Sequence, residues 1–244
     1  MPKTNAHRCL LRNVCANAGK LPACTARCDW YVILSGRVAA AGVPVEYRLR
    51  TLGDVEINET IRKYAGTFAR QHEIDDSTPP ADRIKSLYLW SANPGTGKTT
   101  TACALLNAWI IEHCVGTWRR GQQPKQAAAY FLDVNEFQSR YNLATMTNDT
   151  EDLERIKSEI KRAQVSPFAV LDDVGVRSTT DAFRGYLHAI VNYRVTNGLP
   201  TVYTSNLPIK DLPRVFGEER LADRMRDMCV EIEFMGESRR GMRR

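Results

Sequence analysis

Short apolar stretches alternate with longer amphipathic or charged stretches over most of this chain, from about residue 84 onward. The short stretches have the length and content of buried strands, and the longer ones have the spacing of helices. This alternation predicts an α/β fold built on a parallel sheet. The predicted strands cover residues 86–91, 128–134, 168–171, 201–204 and 230–234, and the predicted helices cover residues 98–114, 135–144, 149–164, 181–196 and 212–228.

The residues before this region divide into two parts. Four of the seven cysteines fall within residues 1–40. Residues 41–84 read as a connector, in which residues 58–72 have the pattern of one helix. We therefore predict a cysteine-rich N-terminal module at 1–40, a connector at 41–84 and an α/β domain at 85–244.

Length and composition limit the class of protein. With 244 residues, the chain suits one α/β domain with a small appendage, and 43% hydrophobic residues exclude a disordered chain. No apolar run reaches the length of a membrane span, and the N-terminus lacks the apolar core of a secretory signal. We therefore expect a cytoplasmic protein with reduced cysteines. A net charge of +6 favours nucleic acid as a partner, though only weakly.

The turn between the first predicted strand and helix has the pattern of a phosphate-binding loop. It matches G-x-x-x-x-G-K-[ST], except that Ala92 stands at the first glycine. Lys98 would reach the β- and γ-phosphates of ATP, and Thr99 would bind Mg²⁺. The alternative is a glycine turn with an exposed lysine. The residues that would contact the nucleotide here are Asn93, Pro94, Gly95, Thr96, Gly97, Lys98, Thr99 and Thr100.

Two carboxylates follow the third predicted strand. Asp172 would hold Mg²⁺ through its water shell, and Asp173 would orient or deprotonate the attacking water. We expect this strand to lie beside the first, as P-loop enzymes suggest. The alternative is a pair of aspartates that caps a turn.

The fourth predicted strand ends in Ser205 and Asn206. A polar side chain there would lie between the ends of the first and third strands, where it could sense the γ-phosphate. The alternative is an asparagine that begins the turn before Pro208.

Six motifs occur in a fixed order: AGVPVEYRLRTLGD, SANPGTGKTT, VLDDVG, TSNLP, RLADRM and GESRR. Over about residues 41–240 this set resembles the DnaC/DnaI-type replicative helicase loaders and the related IstB-type transposition ATPases. The resemblance implies a three-layer P-loop AAA+ ATPase domain at residues 85–244, with ATP and Mg²⁺ as cofactors.

The resemblance also implies roles for three of the later motifs. TSNLP resembles the sensor 1 element. Arg224 in RLADRM matches the arginine finger that reaches a neighbouring subunit's nucleotide, and Arg220 is a second candidate. GESRR resembles the sensor 2 region, where Arg240 takes the arginine position and Arg239 replaces an aromatic residue. The alternative for each arginine is a solvated surface charge.

The N-terminal cysteines predict a zinc site. Cys9, Cys15, Cys24 and Cys28 supply four soft ligands, as a tetrahedral zinc ion needs, and His7 could replace one of them. The spacing is irregular, so four unlinked cysteines remain the alternative. Some DnaI-type loaders have a zinc-bearing N-terminal domain that docks on the helicase, and the resemblance supports that role.

Two regions are candidates for single-stranded DNA. Residues 116–126 read as a long loop in which Trp118 stands among cations, which would suit base stacking. The alternative is an ordinary surface loop with one exposed tryptophan. In the resembled family, helices after the second strand contact DNA. The residues in that part are Arg140, Tyr141, Lys157, Lys161 and Arg162.

Together these features favour an ATP-dependent loader that delivers a hexameric replicative helicase onto single-stranded DNA and assembles with copies of itself when ATP binds. A bacterial or a viral genome could encode it. The alternatives are an IstB-type ATPase that acts on double-stranded DNA and a transposase, and a small P-loop kinase.

Overall fold

The fold is organised around one parallel sheet of five strands. The computed structural model describes residues 4–72, 83–175, 180–217 and 219–238. The strand order is β2-β3-β4-β1-β5, and every neighbouring pair is parallel. The strands are β1 (Ser86–Trp90), β2 (Ala129–Asp133), β3 (Phe168–Asp172), β4 (Thr201–Ser205) and β5 (Cys229–Glu233).

Helices cover both faces of the sheet, which gives three layers. Alternate strand residues face opposite sides, so Leu87 and Leu89 enter one apolar cluster with the first three helices, while Tyr88 enters the other cluster with the remaining five. The α/β fold with a central parallel sheet is thereby confirmed. The helices are α1 (Asp29–Ala40), α2 (Glu59–Gly66), α3 (Lys98–Arg119), α4 (Val134–Thr147), α5 (Thr150–Val165), α6 (Asp181–Thr196), α7 (Pro213–Phe216) and α8 (Glu219–Met228).

The N-terminal residues pack directly on the first face of the sheet. Leu34 and Val38 of α1 are almost fully buried in the same apolar cluster as α3. The backbone N–H of Phe131 in β2 donates to the carbonyl oxygen of Ala41 at 2.7 Å, which ties the end of α1 to the outer strand. The division of the chain at residues 40 and 84 stays a prediction.

Several local expectations differ from the structure. The helix expected to stop near residue 114 continues to Arg119, so the first four residues of the expected loop at 116–126 are helical. The single helix expected at 58–72 is α2 followed by a 3₁₀ turn over Phe68–His72. β4 lies between β1 and β3. The strand that ends at Asp172 is therefore not next to the first strand, contrary to our expectation. α1 was not predicted at all.

The amino-terminal edge of the sheet is held by one buried arginine. Arg194 of α6 is fully buried, and its guanidinium donates to the Thr201 hydroxyl and to four backbone carbonyls. Burial lowers its pKa to about 10, which leaves it charged at neutral pH. These bonds join α5, α6 and β4 at the edge opposite to the strand ends described next.

In the part of the chain that the structure describes, no helix is long and apolar enough to cross a membrane.

Candidate functional site

The loop between β1 and α3 has the backbone that a phosphate-binding loop requires. Gly95 and Gly97 have φ values of 77° and 99°, in the region that favours glycine. A Cβ atom at Gly97 would meet nothing within 4 Å, so the backbone angle, and not space, requires glycine there. Ala92 is outside the positive-φ region, so its methyl group fits at the usual glycine position. Gly97 is the N-cap of α3, whose free N–H groups face the loop.

The Lys98 side chain lies across the carboxyl ends of the strands. Its Nζ is 3.0 Å from Oδ1 of Asn206 and 3.4 Å from the carbonyl oxygen of Asn93. The residue is 8% exposed, so its ammonium group is largely removed from water. A buried cation beside a glycine loop is well placed to attract phosphate oxygens.

Asp172 accepts hydrogen bonds from two threonines. The Thr99 hydroxyl lies 2.9 Å from its Oδ1, and the Thr204 hydroxyl lies 2.6 Å from the same atom. Burial raises the pKa of Asp172 to about 6; the threonine bonds oppose that shift, while the charges of Asp133 and Asp173 add to it. A buried carboxylate beside a hydroxyl is the oxygen pair that a hydrated Mg²⁺ uses.

Asp173 is held in a strained backbone conformation beside Asp172. Its φ is 63°, uncommon for a residue other than glycine, and its N–H donates to Oγ1 of Thr204 at 2.9 Å. Its carboxylate accepts from Nδ2 of Asn135 at 2.6 Å and from Nδ2 of Asn206 at 3.4 Å. Asn206 therefore joins Asp173 to Lys98 through its two amide ends.

Asn135 was not among the expected site residues. It lies in the first turn of α4, two residues after β2 ends. A sequence signal for it existed, since polar residues that follow strands of a parallel sheet gather at one edge, as Asp172 and Asn206 do.

The structure distinguishes between the two polar residues at the end of β4. Ser205 is fully buried, and its Oγ accepts from the N–H of Leu207 at 3.0 Å. A Cβ atom at Gly175 would lie 2.2 Å from that Oγ, so glycine is required where the chain leaves β3. Ser205 therefore has a structural position, whereas Asn206 faces the cleft.

These groups open into one cleft of about 810 Å³. The phosphate loop from Pro94 to Thr100 and the aspartates at the strand ends form one part of its wall. Asn93 is not part of the lining; its Nδ2 donates to the carbonyl oxygen of Gly236 at 3.1 Å, which holds the chain after β5 against the loop. Among the residues that the structure describes, the buried Thr96 hydroxyl has no hydrogen-bond partner, as expected for a group that would bind a ligand oxygen.

The rest of the cleft wall comes from the connector, which sequence reasoning did not assign to the site. Tyr47, Arg50 and Asn58 are among the connector residues that line it. Asn107 of α3 holds this wall in place. Its Nδ2 donates to the carbonyl oxygens of Tyr47 and Arg50 at 2.9 and 2.8 Å, and the side chain is fully buried.

The later arginines lie away from this cleft or outside the described residues. Arg224 of α8 is half-buried, does not line the cleft and donates to Oδ1 of Asn192 in α6 at 2.8 Å. Arg220 is exposed on the same helix. Arg239 and Arg240 lie outside the described residues.

The four N-terminal cysteines converge on one small cavity. Cys9, Cys15, Cys24 and Cys28 all line a space of about 80 Å³, whereas His7 does not. Burial raises the pKa of the Cys9 thiol, and its three neighbours raise it further. Within the described ranges, however, no three His, Cys, Asp or Glu side chains are arranged to hold a metal ion. The structure therefore brings the cysteines together without forming a finished site.

Most of the candidate DNA-contacting residues on α4 and α5 have partners within the chain. Arg140 pairs with Glu159 at 2.8 Å, and Lys157 pairs with Glu154 at 2.5 Å. The remaining three make aromatic contacts: Lys161 with Tyr193, Arg162 with Tyr130, and Tyr141 with Phe183 and Tyr186.

The fold is similar to solved structures of replication proteins. A structure of DnaI is 23% identical with a TM-score of 0.55, over 79% of this chain and 95% of DnaI. A structure of the DnaC helicase loader is 22% identical with a TM-score of 0.53, over 79% of this chain and 100% of that one. The replication initiator DnaA bound to AMPPCP and single-stranded DNA is 16% identical with a TM-score of 0.52, over 81% of this chain and 53% of DnaA.

The likeness confirms the predicted fold, a parallel five-stranded sheet covered by helices on both faces. No family profile and no curated protein matches the sequence.

Proposed function

We propose that this protein is an Mg²⁺-dependent ATPase that loads a hexameric replicative helicase onto single-stranded DNA. The observation that carries the proposal is the arrangement of Lys98, Thr99, Asp172 and Asp173 around one cleft. The fold likeness covers 79% of this chain and 95% and 100% of the DnaI and DnaC helicase loader structures, which supports helicase loading as the task of such an ATPase.

The cleft supports binding of ATP with its metal. Thr99 and Asp172 would hold Mg²⁺, and Lys98 would contact the β- and γ-phosphates. The unpartnered Thr96 hydroxyl inside the loop fits a phosphate oxygen. When bound, the metal would neutralise charge on the phosphates. The connector side of the cleft, which lies apart from the phosphate loop in the chain, would receive the base and sugar.

The polar groups at the strand ends support hydrolysis. Asp173 would accept a proton from, or orient, the attacking water, and Asn135 and Asn206 fix its carboxylate for that task. Asn206 also contacts Lys98, so one side chain can respond to the γ-phosphate and move the base. This is the role we assign to sensor 1.

Arg224 supports assembly in an ATP-dependent homo-oligomer. Because α8 holds it against α6 and outside its own cleft, its guanidinium cannot contact the same chain's phosphates as it stands. It would act on the nucleotide of a neighbouring copy, where a forked, permanently charged donor suits a γ-phosphate.

The proposal is tested by reconstituted helicase loading. The protein is used to recover partners from its source cell with ATP present, and Lys98→Ala is the matched control. The recovered helicase is then assayed for transfer onto single-stranded DNA covered with single-strand-binding protein. We expect ATP-dependent transfer with the wild type and none with Lys98→Ala. Recovery of a transposase in place of a helicase would support the IstB-type alternative, and recovery of neither would refute loading.

We also propose that the N-terminal module binds one zinc ion through Cys9, Cys15, Cys24 and Cys28. Their convergence on one cavity supports this, and closure of the site requires the thiols to turn toward a common centre. Metal analysis should find about one zinc per chain, and Cys24→Ser combined with Cys28→Ser should release it. A metal-free native protein with four reactive thiols would exclude the site.

A further inference from the structure

A cluster of exposed cations lies at the far end of α3 from the phosphate loop. Two segments, residues 4–40 and 114–128, meet here: the rings of Trp30 and Trp118 lie 3.9 Å apart between centroids, and Arg37 donates to the carbonyl oxygen of Pro124 at 3.1 Å. The two segments together contain eight lysines and arginines but one acid, Asp29. Four of these cations are exposed and lie within three residues of the contacts that join the two segments, and they form the basic face: Arg27, Arg119, Arg120 and Lys125.

The basic face differs from the charged surface of α5. On α5, Arg155 and Lys157 have carboxylate partners in Glu151 and Glu154. Among the described residues, the side chains of the basic face form no ion pair, and Arg119 and Arg120 stand next to each other at the end of α3. Uncompensated cations held close together attract a polyanion most strongly, because the potential of each adds to that of its neighbours.

The two tryptophans beside the basic face bear on whether bases could stack there. Trp30 and Trp118 are partly buried and pack edge to face on each other, so this contact takes up part of the ring surface on which a base could stack. The cations of the face would contact phosphate groups. Such contacts recognise the phosphate backbone and not the base sequence.

We propose that the basic face binds the phosphate backbone of nucleic acid, at a site separate from the nucleotide cleft. α3 has 22 residues, so its two ends lie about 33 Å apart at 1.5 Å per residue. Binding here needs neither ATP nor the aspartates at the strand ends. The inference extends the proposed loading function, since it names a surface that would hold DNA near the N-terminal module.

The test compares two double variants that lose the same charge. Arg119→Ala with Arg120→Ala removes two adjacent cations of the basic face, and Arg62→Ala with Lys63→Ala removes two adjacent cations of α2 that pair with Glu59. Binding of a fluorescein-labelled thymidine oligonucleotide is measured by anisotropy from about 50 to 200 mM salt. The first variant should bind on the order of tenfold more weakly near 100 mM salt, with a log–log salt slope smaller by about 1.4, since each contact with a single strand adds about 0.7. The second should bind like the wild type.

Other outcomes would overturn the inference. Equal weakening in both variants would mean that only the overall charge matters. A basic-face variant that binds the oligonucleotide normally but no longer binds the helicase would assign the face to an acidic protein surface. The same salt titration with duplex DNA should give a parallel loss, since phosphates alone are read. ATP hydrolysis is measured on the same samples, so failure of the ATPase proposal and failure of this inference appear in separate readouts.

Discussion

Asn107 is a buried residue of α3 that does not line the nucleotide cleft. We nevertheless expect it to strengthen the binding of ATP. Its amide donates two of the hydrogen bonds that fix the connector wall of the cleft. Asn107→Ala removes both donors and leaves the phosphate loop intact. We therefore expect the variant to bind ATP more weakly, because the nucleotide must then order the connector itself.

The size of the effect follows from the two bonds. At about 1 kcal/mol each, they contribute about 2 kcal/mol, which corresponds to roughly 30-fold in affinity. Two features reduce this value. Arg50 is exposed, so water can reach its carbonyl oxygen. The Asn107 Oδ1 is buried and has no partner in the described parts of the chain, so its removal relieves a cost. We expect a loss of about 5- to 30-fold.

Steady-state kinetics separates this mechanism from a general loss of stability. KM for ATP should rise while kcat stays near the wild-type value, because Lys98 and Asp173 are untouched. Ile110→Val is the control. It destabilises the same helix by about 1 kcal/mol and keeps both amide bonds, so its KM should not change. A fall in kcat at constant KM, or the same KM shift in the control, would refute the positioning role.

Three further predictions concern the strand ends and assembly. Asp173→Asn should bind Mg·ATP normally but hydrolyse it at least about 10²-fold more slowly; turnover at the native rate would remove Asp173 as the base. Arg224→Ala should lose on the order of 10³-fold of partner- or DNA-stimulated hydrolysis, and mixing it with Lys98→Ala should restore part, because a mixed interface can contain one intact copy of each residue. Asp172→Asn should unfold at higher temperature than the wild type without nucleotide at pH 8. Because the pKa of Asp172 is raised to about 6 in the folded protein, the wild type is destabilised as the pH rises from about 4 to 6 and the buried carboxyl group ionises. The higher stability of Asp172→Asn should therefore vanish below about pH 4. A stability difference that does not depend on pH would contradict this cause.

The sequence by itself determined the features that depend on local order. Alternation of apolar runs predicted all five strands and the parallel sheet, because a buried strand needs only its own residues to be apolar. The phosphate loop was recognisable because positive φ at Gly95 and Gly97, followed by Lys98 and Thr99, is a requirement within one short segment. Element ends moved by a few residues, and α3 was longer than expected because Thr117 and Trp118 continue its hydrogen bonding and packing.

Only the tertiary structure decided which distant residues meet. The bonds from Asn107 to the connector span 57 and 60 residues, and the bond from Asn135 to Asp173 spans 38. No periodicity encodes such pairs, because each partner looks like an ordinary polar residue in its own segment. The same holds for the four cysteines around one cavity and for the basic face, whose two segments are joined by packing between Trp30 and Trp118. The spacing of the motifs predicted which residues would contact the phosphates. The cleft walls that position those residues are formed by contacts between segments that are far apart along the chain.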